Sequence, residues 1–163
     1  MKKLSIYAGL MALSIGTAAA LYAAPDGRAD QDGDRIITKA EAMAAADAVL
    51  VPLQAEFYAL EGLSQLMLTV RKIRTTANPG LRIEGVVMTM VDSRNRLSQQ
   101  VESDARATLG DLVFKTVIPR NVRLSEAPSF ALPVMQYDPS SKGTEAYRAL
   151  SAEIMARHPR QRR

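Results

Sequence analysis

The stretch TVIPRNVRLSEAPSFALP, residues 116–133, decides the fold because an apolar strand runs there into a turn and then into a short helix. Pro119 ends the β-branched strand, since proline lacks a backbone donor and has a fixed φ. Ser125 is the predicted N-cap of the short helix, and Pro128 lies early enough in that helix to be tolerated. Ligands of open parallel sheets bind beyond the carboxyl ends of the strands. The sequence therefore predicts a binding loop at residues 120–123.

Apolar runs and helical periodicities alternate along the chain on either side of this stretch. The predicted elements are strands at 49–53, 83–91 and 112–118, helices at 60–75, 98–109 and 142–157, and a brief extended segment at 134–137. Strands joined by helices of this length form right-handed parallel crossovers. We therefore predict an α/β fold, a partial doubly wound, Rossmann-like parallel sheet of about three strands with flanking helices. The first of these strands would leave an apolar edge uncovered.

The composition is typical of a globular protein with an aliphatic core. The chain has 163 residues, 47% of them apolar, and it has no cysteine, which excludes a disulfide framework and thiolate chemistry. The net charge of +4 is compatible with an anionic partner. The alternative is a solvated basic surface without a partner.

The first 24 residues have the organisation of a secretory signal peptide. Lys2 and Lys3 precede an apolar run at 4–20 that ends in small residues suited to cleavage. The alternatives are an uncleaved N-terminal anchor and a buried core helix. A used signal would place the protein in the periplasm or outside the cell, and only an uncleaved segment would give it a stable membrane partner.

Residues 25–43 place acidic residues at a spacing that resembles an EF-hand loop. The predicted Ca²⁺ ligands are Asp30, Asp32, Asp34, the carbonyl of Ile36, Thr38 and Glu41. A hard cation such as Ca²⁺ requires this ring of oxygens. However, Arg35 stands where the loop turns sharply and needs glycine, and no helix enters the loop. The alternative is an acidic surface turn.

Four segments together resemble one family. They are ADAVLVPLQAEFYALEGL at 46–63, IEGVVMTMVDSRNRLSQQV at 83–101, YDPSSKGTEAYRALSAEI at 137–154, and the stretch at 116–133. In this order and spacing they resemble the C-terminal half of the ParA/Soj family, the chromosome- and plasmid-partitioning ATPases related to MinD. The resemblance assigns residues 44–157 to a ParA-like α/β module and leaves 158–163 as a basic tail.

The resemblance also implies binding sites. The residues that match the surroundings of adenine in the family are Met90, Asp92, Pro119 and Arg120. Arg94 and Arg123 match arginines that hold DNA without sequence preference, and such binding weakens steeply with salt. The alternatives are that Met90 packs in the core, that Asp92 caps the next helix, and that both arginines are merely solvated.

Cofactors and partners follow from the same resemblance. It implies ATP with Mg²⁺, a homodimer or a ParB-like partner, and a cytoplasmic, nucleoid-associated location. Residues 56–62 match the segment that responds to nucleotide and meets the dimer partner. No phosphate-loop pattern G-x-x-x-x-G-K-[ST] occurs in the sequence, so we predict no catalytic residue and no ATP hydrolysis by this chain alone.

Three hypotheses follow from the sequence. The first is a truncated or fused ParA-like module that retains an adenine-pocket edge and a weak nonspecific DNA surface. The second is an exported EF-hand-type calcium-binding protein that works through Asp30 to Glu41. The third is a non-functional fusion, since an export signal conflicts with a family that associates with DNA in the cytosol.

Overall fold

The computed structural model describes residues 38–158, in which helices and strands alternate. The elements are α1 (Lys39–Ala45), β1 (Ala48–Gln54), α2 (Ala59–Thr76), β2 (Arg82–Val91), α3 (Arg96–Leu109), β3 (Val113–Pro119), α4 (Val122–Glu126), α5 (Val134–Tyr137) and α6 (Lys142–Arg157). Short 3-10 helices precede β3 at Gly110–Leu112 and follow α4 at Ala127–Phe130. The strands form one parallel sheet in the order β1-β2-β3, which confirms the predicted α/β fold.

Some of the sequence-based interpretations lie outside the described residues. These are the signal peptide at 1–24, the acidic residues before Thr38, and the tail beyond His158. Within residues 38–158, no helix is both long enough and apolar enough to cross a membrane.

Two local predictions are wrong. Ser125 does not cap α4 but lies inside it, and the N-cap is Asn121, whose Oδ1 accepts a hydrogen bond from Arg123 N at 2.8 Å. Asn121 caps the helix because it follows closely on the proline that ends β3, which leaves no room for a longer loop. Residues 134–137 are not extended but form the single turn α5, because the carbonyl of Pro133 accepts hydrogen bonds from Gln136 N at 2.9 Å and Tyr137 N at 3.0 Å.

The chain divides into two compact units. The first contains Glu61–Gly85 and the residues up to Pro52, and the second contains Leu53–Leu60 and the residues from Val86 onward. The buried residues of the first unit include Met43, Val49, Val51, Leu63, Val70, Ile73 and Leu81. In that unit Asn78 Nδ2 donates to the carbonyls of Met43 at 3.1 Å and Ala46 at 2.7 Å, and these bonds attach the end of α2 to the end of α1.

The second unit is built on β3 and α6. Its buried residues include Val86, Met88, Val101, Ala105, Val113, Phe114, Ile118 and Leu150. Phe114 is fully buried, and the guanidinium carbon of Arg157 lies 3.8 Å from the centre of its ring. This cation–π contact closes the core at the C-terminal end of α6.

A bulge interrupts β3 at residues 114–116. Val86 of β2 pairs with Val113 of β3, and the next pair is Met88 with Val117. Between these pairs β2 advances by two residues and β3 by four, so β3 carries two extra residues. The next paired positions after Met88 and Val117 are Val91 and Pro119, so β2 in turn carries one extra residue near its end.

Side chains from two helices bind the main chain of the β3 bulge. Glu153 accepts hydrogen bonds from Lys115 N at 2.8 Å and Thr116 N at 2.9 Å. Consecutive amides of a regular strand point in opposite directions, so these two bonds to one carboxylate require the bulge. Arg106 donates to the carbonyls of Phe114 at 3.1 Å and Lys115 at 3.4 Å.

Candidate functional site

The carboxyl ends of the three strands meet at one edge, as the parallel order requires. Arg120 N donates to the carbonyl of Val91 at 3.0 Å, so the loops after β2 and β3 lie side by side. Ala55 N donates to the carbonyl of Thr89 at 3.1 Å, which brings the loop after β1 to the same edge. We call this region the carboxyl edge, and it lies entirely within the second unit. The fold therefore places the end of β2 and the loop after it, with Met90, Asp92 and Arg94, beside Pro119 and Arg120, while Arg123 follows in α4.

Met90 lies in the β2 bulge in an unusual conformation. Its φ is 56°, in the left-handed region that a side chain other than glycine or asparagine rarely adopts. Its side chain is not packed in the core, since 36% of the residue is exposed, so the alternative that it is a core residue is wrong. Backbone strain of this kind is concentrated at functional sites, where the surrounding structure maintains it.

Asp92 and Arg94 form a turn directly after β2. Asp92 Oδ1 accepts hydrogen bonds from Arg94 N at 3.0 Å and from Arg94 Nε at 3.4 Å. The bond from the Arg94 amide is the main reason that the pKa of Asp92 lies below its usual value. Asp92 does not cap α3, as the alternative proposed; Asn95 does, accepting from Leu97 N at 2.9 Å. The Arg94 side chain is 91% exposed.

Arg120 follows Pro119 and faces the loop after β1. Its Nη2 lies 3.8 Å from Glu56 Oε1, and both side chains are more than half exposed. Beyond Glu56, Phe57 and Tyr58 are 69% and 77% exposed and meet edge to face with ring centres 5.1 Å apart. The sequence analysis missed the pairing of Glu56 with Arg120, because no local spacing connects residues on loops after different strands.

Arg123 is surrounded by acidic and aromatic groups. Its Nη1 donates to Glu126 Oε2 at 2.8 Å, and its Nε lies 3.3 Å from Asp138 Oδ2. Glu126 Oε2 also accepts from the hydroxyl of Tyr137 at 3.1 Å. Its hydrogen bond to Glu126 raises the pKa of Arg123, and the same bond lowers the pKa of Glu126. The sequence analysis missed Glu126 and Asp138, although the three-residue spacing of Arg123 and Glu126 on a helix was a usable signal.

The helices around Arg123 are fixed by close packing. Thr144 is fully buried, and its hydroxyl donates to the carbonyls of Asp138 at 2.7 Å and Val134 at 3.2 Å. A Cβ on Gly143 would lie 2.7 Å from Cγ of Leu124, so only glycine allows α4 to approach α6 this closely. Arg123 and its partners therefore occupy defined positions.

Two of the six predicted Ca²⁺ ligands, Thr38 and Glu41, are described, and they bind each other. Thr38 N and Oγ1 donate to Glu41 Oε2 at 2.9 and 2.7 Å, while Thr38 Oγ1 accepts from Glu41 N at 3.2 Å. This capping box starts α1 and accounts for the threonine-to-glutamate spacing without a metal. The other predicted ligands, Asp30, Asp32, Asp34 and Ile36, lie outside the described residues.

Residues 38–158 contain no cluster of three acidic or histidine side chains that could hold a metal ion. At the carboxyl edge, the Asp92 carboxylate is engaged by Arg94, and the Glu56 carboxylate lies beside Arg120. Because each carboxylate already faces an arginine, these two residues do not form a Mg²⁺ site.

Comparison with known proteins finds chromosome partitioning proteins among the relatives of this chain. The AAA domain family matches residues 34–83. The chromosome partitioning protein ParA of Caulobacter vibrioides is 59% identical over 116 residues, which make up 71% of this chain and 43% of that protein. The chromosome-partitioning ATPase Soj of Thermus thermophilus is 54% identical over 116 residues, 71% of this chain and 47% of that protein. The chain thus spans less than half the length of these relatives.

Solved structures agree with this fold. Cobyrinic acid a,c-diamide synthase of Mycobacterium smegmatis, with bound ADP and magnesium, has a TM-score of 0.57 and 29% identity, covering 75% of this chain and 43% of that one. The cell division ATPase MinD of Pyrococcus furiosus has a TM-score of 0.57 over 71% of this chain and 45% of that one; at 23% identity it shows the fold alone. The predicted resemblance to ParA and Soj is confirmed as homology over about 70% of the chain.

Proposed function

We propose, starting from the homology of about 70% of the chain to chromosome partitioning ATPases of the ParA and Soj type, that its α/β module binds the DNA backbone without sequence preference. The residues that make the contact are Arg94 and Arg123. Arginines on adjacent loops can reach successive phosphates, and each contact releases counterions from the DNA. The observation that supports the proposal is the bond from Arg120 N to the carbonyl of Val91, which holds the loop that leads to Arg94 beside the loop that leads into α4, where Arg123 lies.

We expect the Arg94→Ala, Arg123→Ala double variant to lose DNA affinity by roughly tenfold or more at about 50 mM salt. The slope of log K against log salt should fall by about one to two, because one or two phosphate contacts disappear. The measurement is fluorescence anisotropy of a labelled random-sequence duplex, titrated with the full chain over a salt series.

The matched control removes two arginines elsewhere. Arg71 and Arg74 are exposed on α2, so Arg71→Ala, Arg74→Ala changes the net charge equally in the other unit. Equal losses in the two double variants would mean that only net charge matters. Unchanged binding in Arg94→Ala, Arg123→Ala would refute the proposed surface.

A second part of the proposal concerns nucleotide. Met90, Asp92, Pro119 and Arg120 form one side of an adenine pocket, in keeping with the solved relative that holds ADP and magnesium. Met90 is partly exposed at the carboxyl edge, so its side chain can offer an apolar surface to the purine. We propose that the chain by itself does not hydrolyse ATP. We also propose, from homology alone, that the chain binds a second copy of itself or a ParB-like partner.

We expect Met90→Ala to weaken the binding of a fluorescent ADP analogue by about fourfold, which corresponds to the loss of one buried methylene contact. The change can be followed by titrating the analogue with the full chain. Leu68→Ala serves as the control, since Leu68 is 56% exposed on α2. Identical analogue affinities for wild type and Met90→Ala would argue against Met90 as a nucleotide contact.

A further inference from the structure

The two arginines of the proposed DNA surface differ in their electrostatic surroundings. Arg94 has one carboxylate, Asp92, with 3.4 Å between Nε and Oδ1, and its side chain is 91% exposed. Arg123 has two carboxylates, Glu126 at 2.8 Å and Asp138 at 3.3 Å, and its side chain is 52% exposed. Around Arg123, two negative charges therefore face one positive charge. We call Arg123, Glu126 and Asp138 the Arg123 cluster.

The carboxylates of the cluster are themselves held in place. The hydroxyl of Tyr137 donates to Glu126 Oε2, the same oxygen that binds Arg123. Asp138 Oδ1 accepts from Ser140 N at 3.2 Å and from Ser140 Oγ at 3.0 Å, which leaves Oδ2 directed at Arg123. Neither carboxylate can turn away from the guanidinium without losing a further hydrogen bond. The cluster is thus supported by hydrogen bonds on both carboxylates in addition to the ion pairs themselves.

A phosphate that approaches Arg123 meets this arrangement directly. It must compete with two carboxylates for the donors of one guanidinium, and it is repelled by their charges. The two carboxylates therefore offset part of the electrostatic attraction between Arg123 and a phosphate.

We propose that Glu126 and Asp138 limit the contact of Arg123 with the DNA backbone and so set the affinity and salt dependence of the surface. This inference rests on the proposed DNA-binding function. In wild-type protein Arg94 then makes the stronger phosphate contact. Removing one carboxylate of the cluster frees donors of Arg123 and strengthens its contact with a phosphodiester.

The test measures anisotropy of the same labelled duplex with full-length Glu126→Gln and Asp138→Asn. Each should raise the association constant roughly three- to tenfold at about 50 mM salt. Each should also steepen the slope of log K against log salt by up to about one, which corresponds to one additional phosphate contact. The gain should disappear when Arg123→Ala is added to Glu126→Gln. In the wild-type background, Arg94→Ala should cost more affinity than Arg123→Ala.

The control is Glu102→Gln, since Glu102 also binds an arginine at 2.8 Å, namely Arg106 on α3, and the substitution changes the charge equally. An equal gain in this control would overturn the inference, because net charge alone would then explain it. Unchanged DNA binding in both Glu126→Gln and Asp138→Asn would also overturn the inference. If Arg94→Ala still weakened binding in that case, the proposed function itself would stand. No binding by wild type or by any variant would overturn both.

Circular dichroism of each variant separates the inference from a purely structural role of the cluster. If Glu126 and Asp138 served only to hold α4 in place, both substitutions would lower the midpoint of urea unfolding without raising DNA affinity. That combination would also overturn the inference. A rise in affinity with the folded spectrum retained supports it.

Discussion

Replacing Glu153 by alanine is expected to lower the free energy of unfolding by about 2–4 kcal/mol. The carboxylate accepts bonds from two main-chain amides of the β3 bulge and a third from the Thr116 hydroxyl at 2.8 Å. A hydrogen bond to a charged acceptor contributes about 1.5–3 kcal/mol, and less where water can replace the acceptor, as at the exposed Lys115, than at the part-buried Thr116. Urea unfolding followed by circular dichroism measures the loss, and amide exchange of Lys115 and Thr116 should accelerate in the variant.

The contribution of Glu153 should depend on pH. Burial raises the pKa of this carboxyl, but the bonds from Lys115 N, Thr116 N and the Thr116 hydroxyl, together with the charge of Arg157, outweigh burial and leave the pKa below its usual 4.5. For a group whose folded pKa is lowered, the stabilisation is complete above the unfolded-state value and is lost as pH falls through the folded value. The difference in stability between wild type and Glu153→Ala should therefore be constant at neutral pH and shrink below pH 4.5.

Glu145→Ala provides the comparison, because Glu145 is exposed on the same helix and its loss should cost less than about 1 kcal/mol. Equal losses of unfolding free energy in Glu145→Ala and Glu153→Ala at neutral pH would contradict a special role of Glu153. So would a stability difference between wild type and Glu153→Ala that stays constant below pH 4.5.

Phe114→Ala is expected to be the most destabilising substitution, at about 3–5 kcal/mol. The ring is fully buried in the second unit, so its removal leaves a cavity, and the contact with the Arg157 guanidinium is lost as well. Phe130→Ala is the matched control, because Phe130 is 61% exposed and stacks on Tyr137 with ring centres 4.9 Å apart. We expect the control to cost about 1 kcal/mol. Similar urea midpoints for the two variants would show that β3 is not the centre of this core.

The sequence was sufficient to predict the strands and the long helices. The apolar run at 83–91 and the helical periodicity at 98–109 can both be recognised from neighbouring residues alone. The structure has the corresponding strand at Arg82–Val91 and helix at Arg96–Leu109. Pro119 ends β3 as predicted, since the effect of proline is local. The prediction of Ser125 as the cap failed because Asn121 is an equally good N-cap and the length of the loop after β3, which the sequence pattern does not give, decides between them.

The electrostatics of the site could not be predicted in the same way. The left-handed conformation of Met90 arises from the register between β2 and β3, which the sequence of either strand alone does not contain. Asp138 lies 15 positions beyond Arg123, directly after α5, and the two residues meet only through the packing of the helices in this part of the fold. The arginines themselves were found by family resemblance, but the acids that oppose Arg123 were not.

The β3 bulge also determines the direction in which the sheet can grow. The main chain of β3 at residues 114–116 gives two carbonyls to Arg106 and two amides to Glu153, so an incoming strand would have to displace both side chains before it could pair there. Extension of this sheet by another strand is thereby directed to the side of β1.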